Sequence, residues 1–142
     1  MRQFLIVILL LSAYISFGQE HIIKGNWKVI SVKTNNFYYN ATHDSISISR
    51  ANASSKFNKE TLKKTYSNYK FFFNQGKLNQ SIDDSVVAEF RYEFDQPQEI
   101  KLSDLNIDYL SFHINYSLLN NQLHLYLPNK EELTELILEK IN

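Results

Sequence analysis

The 142-residue chain has no cysteine, which excludes disulfides, thiol catalysis, thiolate-bound metals and a lipid-modified N-terminal cysteine. Glycine and proline are nearly as scarce, at three and two, so its turns must rely on Asn, Asp and Ser. Charge of one sign is lacking too. Its 15 basic residues meet 15 acidic ones, which leaves no electrostatic footprint for nucleic acid or for an anionic membrane surface. No phosphate loop or nucleotide fingerprint occurs, and no serine sits in a Gly-x-Ser-x-Gly elbow.

Long apolar runs are absent beyond residue 17. "FLIVILLLSAYISF" follows the short basic start Met1-Arg2-Gln3, and Ser16 and Gly18 then place small residues at the −3 and −1 positions before Gln19. Fourteen residues fall short of the ~20 needed to span a bilayer, so this reads as a cleaved signal peptide rather than a stable membrane anchor. Residues 1–18 are expected to be that signal and 19–142 a single domain. Export without disulfides points to a periplasmic or secreted protein, and of the basic residues only Arg2 would be lost.

Aromatics are what the chain has in plenty: ten Phe and nine Tyr beside its single Trp. They favour strands, and the rest of the sequence alternates accordingly. In "IIKGNWKVISV", Ile23, Gly25, Trp27 and Val29 point one way and Lys24, Asn26 and Lys28 the other. "DSISISR" alternates Ile46 and Ile48 with serines. "YKFFFNQGKLNQSI" is a hairpin centred on Gln75-Gly76, with Phe73 facing Leu78 and Tyr69 facing Ile82. "AEFRYEF" sets Ala88, Phe90, Tyr92 and Phe94 against Glu89, Arg91 and Glu93, and "EIKLS" succeeds it beyond Pro97. A turn on Asn120-Asn121 pairs Tyr116 with Leu125 and Ile114 with Leu127. Leu110, Phe112, Leu118 and Leu123 then join their apolar face, and His113, His124 and Tyr126 the wet one.

Two segments depart from alternation. Residues 52–68 suit a short helix with Phe57, Leu62 and Tyr66 on one side and Lys56, Lys59 and Lys63 on another, a solvated face more readily than a membrane-greeting patch. In "NKEELTELILEKIN", Asn129 and Glu132 would make a helix cap, and Leu133, Leu136, Ile137 and Ile141 a helical stripe. The same tail also reads as a strand. Eight or nine short strands in consecutive hairpins are the signature of an up-and-down antiparallel barrel or a sandwich.

Here the opening "GNWKVIS" carries a resemblance. A signal peptide, Gly25-x-Trp27 at the first strand and a basic-tipped last segment resemble the lipocalin-like (calycin) domains of exported bacterial proteins, and fatty-acid-binding proteins share the same start and finish. The resemblance implies an eight-stranded all-β barrel with a short helix or lid between its first strands. It implies that Trp27 plugs the closed end, that Lys140 packs across it by a cation–π contact, and that the tail is the closing strand. A barrel needs its first strand paired, so the strand reading of residues 129–142 is adopted. The chain departs from the family in having Lys where Arg is usual at that last position. It also lacks the terminal Arg-x-Tyr that holds carboxylates in fatty-acid-binding proteins, since Arg50 and Arg91 lie elsewhere.

The chemistry is sparse. His113 and His124 fall about 13 Å apart in the hairpin register, too far to share a metal. His21 and His43 lie in loops, and Asp83-Asp84 and Glu131-Glu132 read as turns. No catalytic residue, metal or cofactor is expected. The functional signal lies in Phe71, Phe73, Phe90, Tyr92, Phe94, Phe112 and Tyr116, which fall on inward faces. They would either line a site for a small apolar or amphipathic ligand or fill the barrel, leaving the protein to act through protein contact as an inhibitor or assembly partner.

Overall fold

The computed structural model describes residues 18–49, 59–107, 109–128 and 133–142. Residues 18–23 are helical (α1) and lead into β1 (Gly25–Lys33), β2 (Phe37–Asn40) and β3 (Ser45–Ile48). Helix α2 (Lys59–Tyr66) comes next. Seven strands follow: β4 (Tyr69–Asn74), β5 (Lys77–Ile82), β6 (Ser85–Gln96), β7 (Glu99–Asp104), β8 (Ser111–Leu119), β9 (Gln122–Pro128) and β10 (Leu133–Ile141). Neighbours from β4 to β10 pair antiparallel in sequence order. β1 pairs β4 on one side and β10 on the other, which closes an eight-stranded up-and-down barrel.

The tail is therefore a strand. Its register, Trp27 with Lys140 and Val29 with Leu138, puts Leu136 and Leu138 inside beside Val29 and Val32. Burying those two leucines contributes about 1.5–3 kcal/mol each, more than the few tenths by which local propensity favours a helix. The cap residues Asn129 and Glu132 lie outside the described residues, as do Phe57 and Lys56.

The hairpins turn where the sequence places them. Gln75-Gly76 and Asn120-Asn121 both have two positive φ values, the signature of the type I′ turn that matches strand twist. Phe73 pairs with Leu78, Tyr69 with Ile82 and Tyr116 with Leu125. Leu110 and Leu118, placed by alternation on the inner face, lie just before β8 and near its end, and are exposed.

β2 was not apparent in the sequence, and it alters the wall. β1 bulges between Val29 and Ser31; residues 25–28 pair with β4, while 31–33 pair with β2. The β2–β3 hairpin thus branches from the barrel at the top of β1. Tyr66 of α2 occupies the fork, its ring 6.2–6.3 Å from those of Phe37, Tyr39 and Tyr69. Lys63 is paired to Asp44 beyond β2 at 2.6 Å, which ties the helix to the hairpin.

The registers define two ends. The floor holds α1, the starts of β1, β5, β7 and β9, and the turns at 75–76, 97–98 and 120–121. The mouth holds α2, the 83–84 turn and the 105–110 connection.

Candidate functional site

At the floor, Trp27 is 2% exposed and donates its indole N–H to the carbonyl of Ile23, itself fully buried, at 2.7 Å. Directly across β10, Lys140 reaches back so that Nζ lies 5.5 Å from the indole centroid. Its stem passes over Gly25, where φ is +130° and a Cβ would stand 2.8 Å from Lys140 Cε. Tyr92 donates its hydroxyl to Glu20 Oε1 of α1 at 2.5 Å. Burial, and then this carboxylate, push the Tyr92 phenol well above its ordinary range. Helix α1 is thus pinned under the barrel by the buried Ile23 and by two hydrogen bonds, from Trp27 and from Tyr92.

All seven aromatics named from the sequence lie on inward faces. Phe71, Phe73, Phe90, Tyr92 and Tyr116 are buried, and Phe94 and Phe112 are half-buried against them. The structure brings them into two runs of ring contacts. Phe73, Tyr92, Phe94 and Tyr116 follow one another at centroid distances of 5.4, 5.8 and 6.1 Å, and Phe90 meets Phe112 edge-on at 5.6 Å. Phe71 belongs to neither run and meets Tyr69 in a tilted contact at 4.8 Å.

Tyr69 and Gln80 were missed as site residues. Gln80 pairs with both Phe71 and Ala88, which sets it on the inward face near the mouth, and its Oε1 accepts the Tyr69 hydroxyl at 2.8 Å. Burial, with Tyr66 beside it, pushes the Tyr69 phenol up to about 12, so it remains a neutral donor. The available signal was the "FNQGKLNQS" register, which puts Gln80 opposite Phe71 and hence inside.

The outer wall carries His113 and His124, while His43 lies in the β2–β3 turn and His21, expected in a loop, lies in α1. His113 Nε2 lies 3.1 Å from Asp95 and is half exposed. His124 Nδ1 lies 3.0 Å from Glu135, with only 12% of its side chain exposed, because neighbours on β8 and β10 flank it. The two histidines take different carboxylates, and among the described residues no three His, Asp or Glu converge as metal ligands. A shallow open groove of about 350 Å³ lies at the branch, lined by Lys33, Thr34, Phe37, Tyr38 and Ser47 among others. Thr34 Oγ1 is occupied there, accepting the backbone N–H groups of Asn36 and Phe37.

No protein-family model matches the chain, and neither a curated protein nor a solved structure matches it.

Proposed function

We propose that this is an exported, lipocalin-like carrier that holds a small apolar or amphipathic molecule in the mouth half of its barrel and performs no chemistry on it. One observation carries the reading. Most inward side chains at the floor, such as Trp27, Phe73, Leu123 and Leu138, are buried, with Phe94 half-buried, whereas Tyr69, Ala88, Phe112 and Leu127 toward the mouth, and Tyr66 of α2 beside them, are only partly covered above the buried Val32, Phe71 and Leu136. The apolar interior therefore meets solvent at one end, where an apolar molecule would gain most by entering. The Tyr69–Gln80 pair beside it offers a hydroxyl and an amide to a polar group of that molecule. The Gly25–Trp27–Lys140 floor supports the lipocalin-like reading, and the uncharged run before Gln19 supports export.

The test is made on protein expressed from the full reading frame and purified by fraction. Its mass under native and denaturing conditions is compared, and any released molecule identified. A stoichiometric small molecule is the expected result. Empty protein that also takes up no apolar fluorescent probe would overturn the carrier reading.

A second reading, action through protein contact, is favoured by a different observation: the apolar residues exposed around the mouth.

A further inference from the structure

The exposed large apolar residues are unevenly placed. Val86 and Val87 stand just beyond the 83–84 turn, and Leu105, Ile107, Tyr109 and Leu110 fill the connection from β7 to β8. Leu133 begins β10 at the same end. All seven expose more than a third of their surface, and Tyr109 exposes 92%. The Asp104 carboxylate accepts the backbone N–H groups of Asn106 and Ile107 at 2.7 and 3.1 Å, so the connection is held in shape from its base. Leu105 N–H reaches the Glu89 carbonyl, which joins the start of the connection to β6. Solvent-facing apolar side chains gathered in one arc mark an interaction surface.

The α2 side of the mouth differs in carrying lysines. In the closed order β1-β4-β5-β6-β7-β8-β9-β10, the β7–β8 connection lies diametrically across from β1 and β4, over which α2 packs. Helix α2 buries no residue completely and presents Lys59 and Lys64 with a single acid of its own, Glu60, while Lys63 is paired to Asp44. The apolar arc is flanked instead by the carboxylates of Glu89 and Asp104.

We propose that the mouth is a self-association surface, and that its occupant is the mouth of a second copy of this chain. A twofold axis in the mouth plane, perpendicular to the line from α2 to the β7–β8 connection, sets each copy's connection on the other's helix. Such an isologous contact is formed twice at once. It puts the Tyr109 ring against α2 ammonium groups, a cation–π arrangement, and Glu89 and Asp104 near lysines. Turning the axis by a right angle would set lysine on lysine and carboxylate on carboxylate, so charge selects one of the two arrangements. An anionic bilayer is a poorer occupant, because those same carboxylates would face its headgroups. The inference does not rest on the carrier reading, since it concerns the rim and not the interior.

Sedimentation equilibrium on protein from the full reading frame, with the protomer mass fixed by mass spectrometry, tests this. The expected result is a reversible dimer. Ile107→Asp with Tyr109→Ser should weaken it by about tenfold or more, and Lys59→Glu with Lys64→Glu should do the same from the other side. Leu119→Ser, an exposed apolar change at the floor end, should leave the dimer intact and serves as the control. A monomer at every concentration overturns the proposal. So does a dimer indifferent to both mouth variants, or a monomer that sediments with phosphatidylcholine vesicles and loses that binding in the Ile107–Tyr109 variant. Far-ultraviolet circular dichroism on each variant separates loss of contact from loss of fold.

Discussion

Trp27 and Lys140 are direct partners across the seam that closes the barrel, with the lysine ammonium 5.5 Å from the indole centroid. The contact itself is weak, about 0.5–1 kcal/mol for an exposed cation. Its structural consequence is larger, because the lysine stem must cross the backbone at Gly25 to reach the ring. Gly-x-Trp at the start of β1 therefore answers to a residue 115 positions away: glycine gives the crossing room, and Trp27 supplies what is crossed.

Two effects oppose a side chain at Gly25, and they can be ranked. An added Cβ would press on Lys140 Cε at 2.8 Å, but that atom belongs to a flexible exposed stem and can move. The backbone φ of +130° cannot relax so easily. Gly25→Ala should therefore cost about 1–3 kcal/mol in urea unfolding, and Lys140→Ala should recover only a small part of it. Full recovery in the double variant would show that the contact, and not the φ, holds glycine there.

Trp27 is the single tryptophan, so its emission reports on the floor alone. Because it is 2% exposed, its fluorescence should be blue-shifted and resist acrylamide quenching until the barrel unfolds. Trp27→Phe removes the hydrogen bond to Ile23 and leaves a void, and should cost about 2–4 kcal/mol. Lys140→Gln should cost under about 1 kcal/mol and leave the emission maximum nearly in place. Easy quenching in the native protein would count against the plugged floor.

Much of this barrel was legible from local chemistry, and the reasons differ by segment. Gln75-Gly76 and Asn120-Asn121 fix their hairpins because a two-residue turn leaves alternation one register that keeps apolar side chains on one face. The tail was locally ambiguous, since Leu136 and Ile137 suit either period; only pairing with β1 decides it. β2 escaped notice because a four-residue strand without a glycine turn looks like loop. The bulge at the top of β1, which lets that hairpin branch away, has no signature in "KVISVK". Inward faces could be assigned from alternation, whereas the Tyr69–Gln80 pair needed the register across two strands, and the exposed rim needed the closure of the whole barrel.

Alkaline stability should fall in a defined window. Burial raises the phenols of Tyr69, Tyr92 and Tyr116, and Tyr69 reaches about 12. A group whose folded pKa is raised binds its proton more tightly in the native state, so its contribution is fully present below about pH 10, the unfolded value. It is lost as pH rises from there through the folded value. For Tyr69 the loss by pH 12 amounts to at most about 3 kcal/mol. Urea unfolding at pH 9, 10 and 11 should show stability holding and then falling. Tyr69→Phe should be weaker by about 1 kcal/mol at pH 8, through the bond lost from Gln80, yet fall less steeply. Equal slopes in the two proteins would remove Tyr69 from the account.

Ala88 gives the sharpest test of what the mouth does. It faces inward opposite Gln80, two residues before the fully paired Phe90, and is only partly covered by its neighbours. Ala88→Trp would project a large ring toward Tyr69 and Phe112 without touching the floor. Filling the half-open end should lower uptake of an apolar probe by about tenfold or more relative to Trp27→Phe alone, the background that lets the new indole be read by itself over the same floor. Its emission should then be that of a partly buried ring. Unchanged uptake with a folded spectrum would mean that the probe enters elsewhere, and the mouth would stand as a contact surface only.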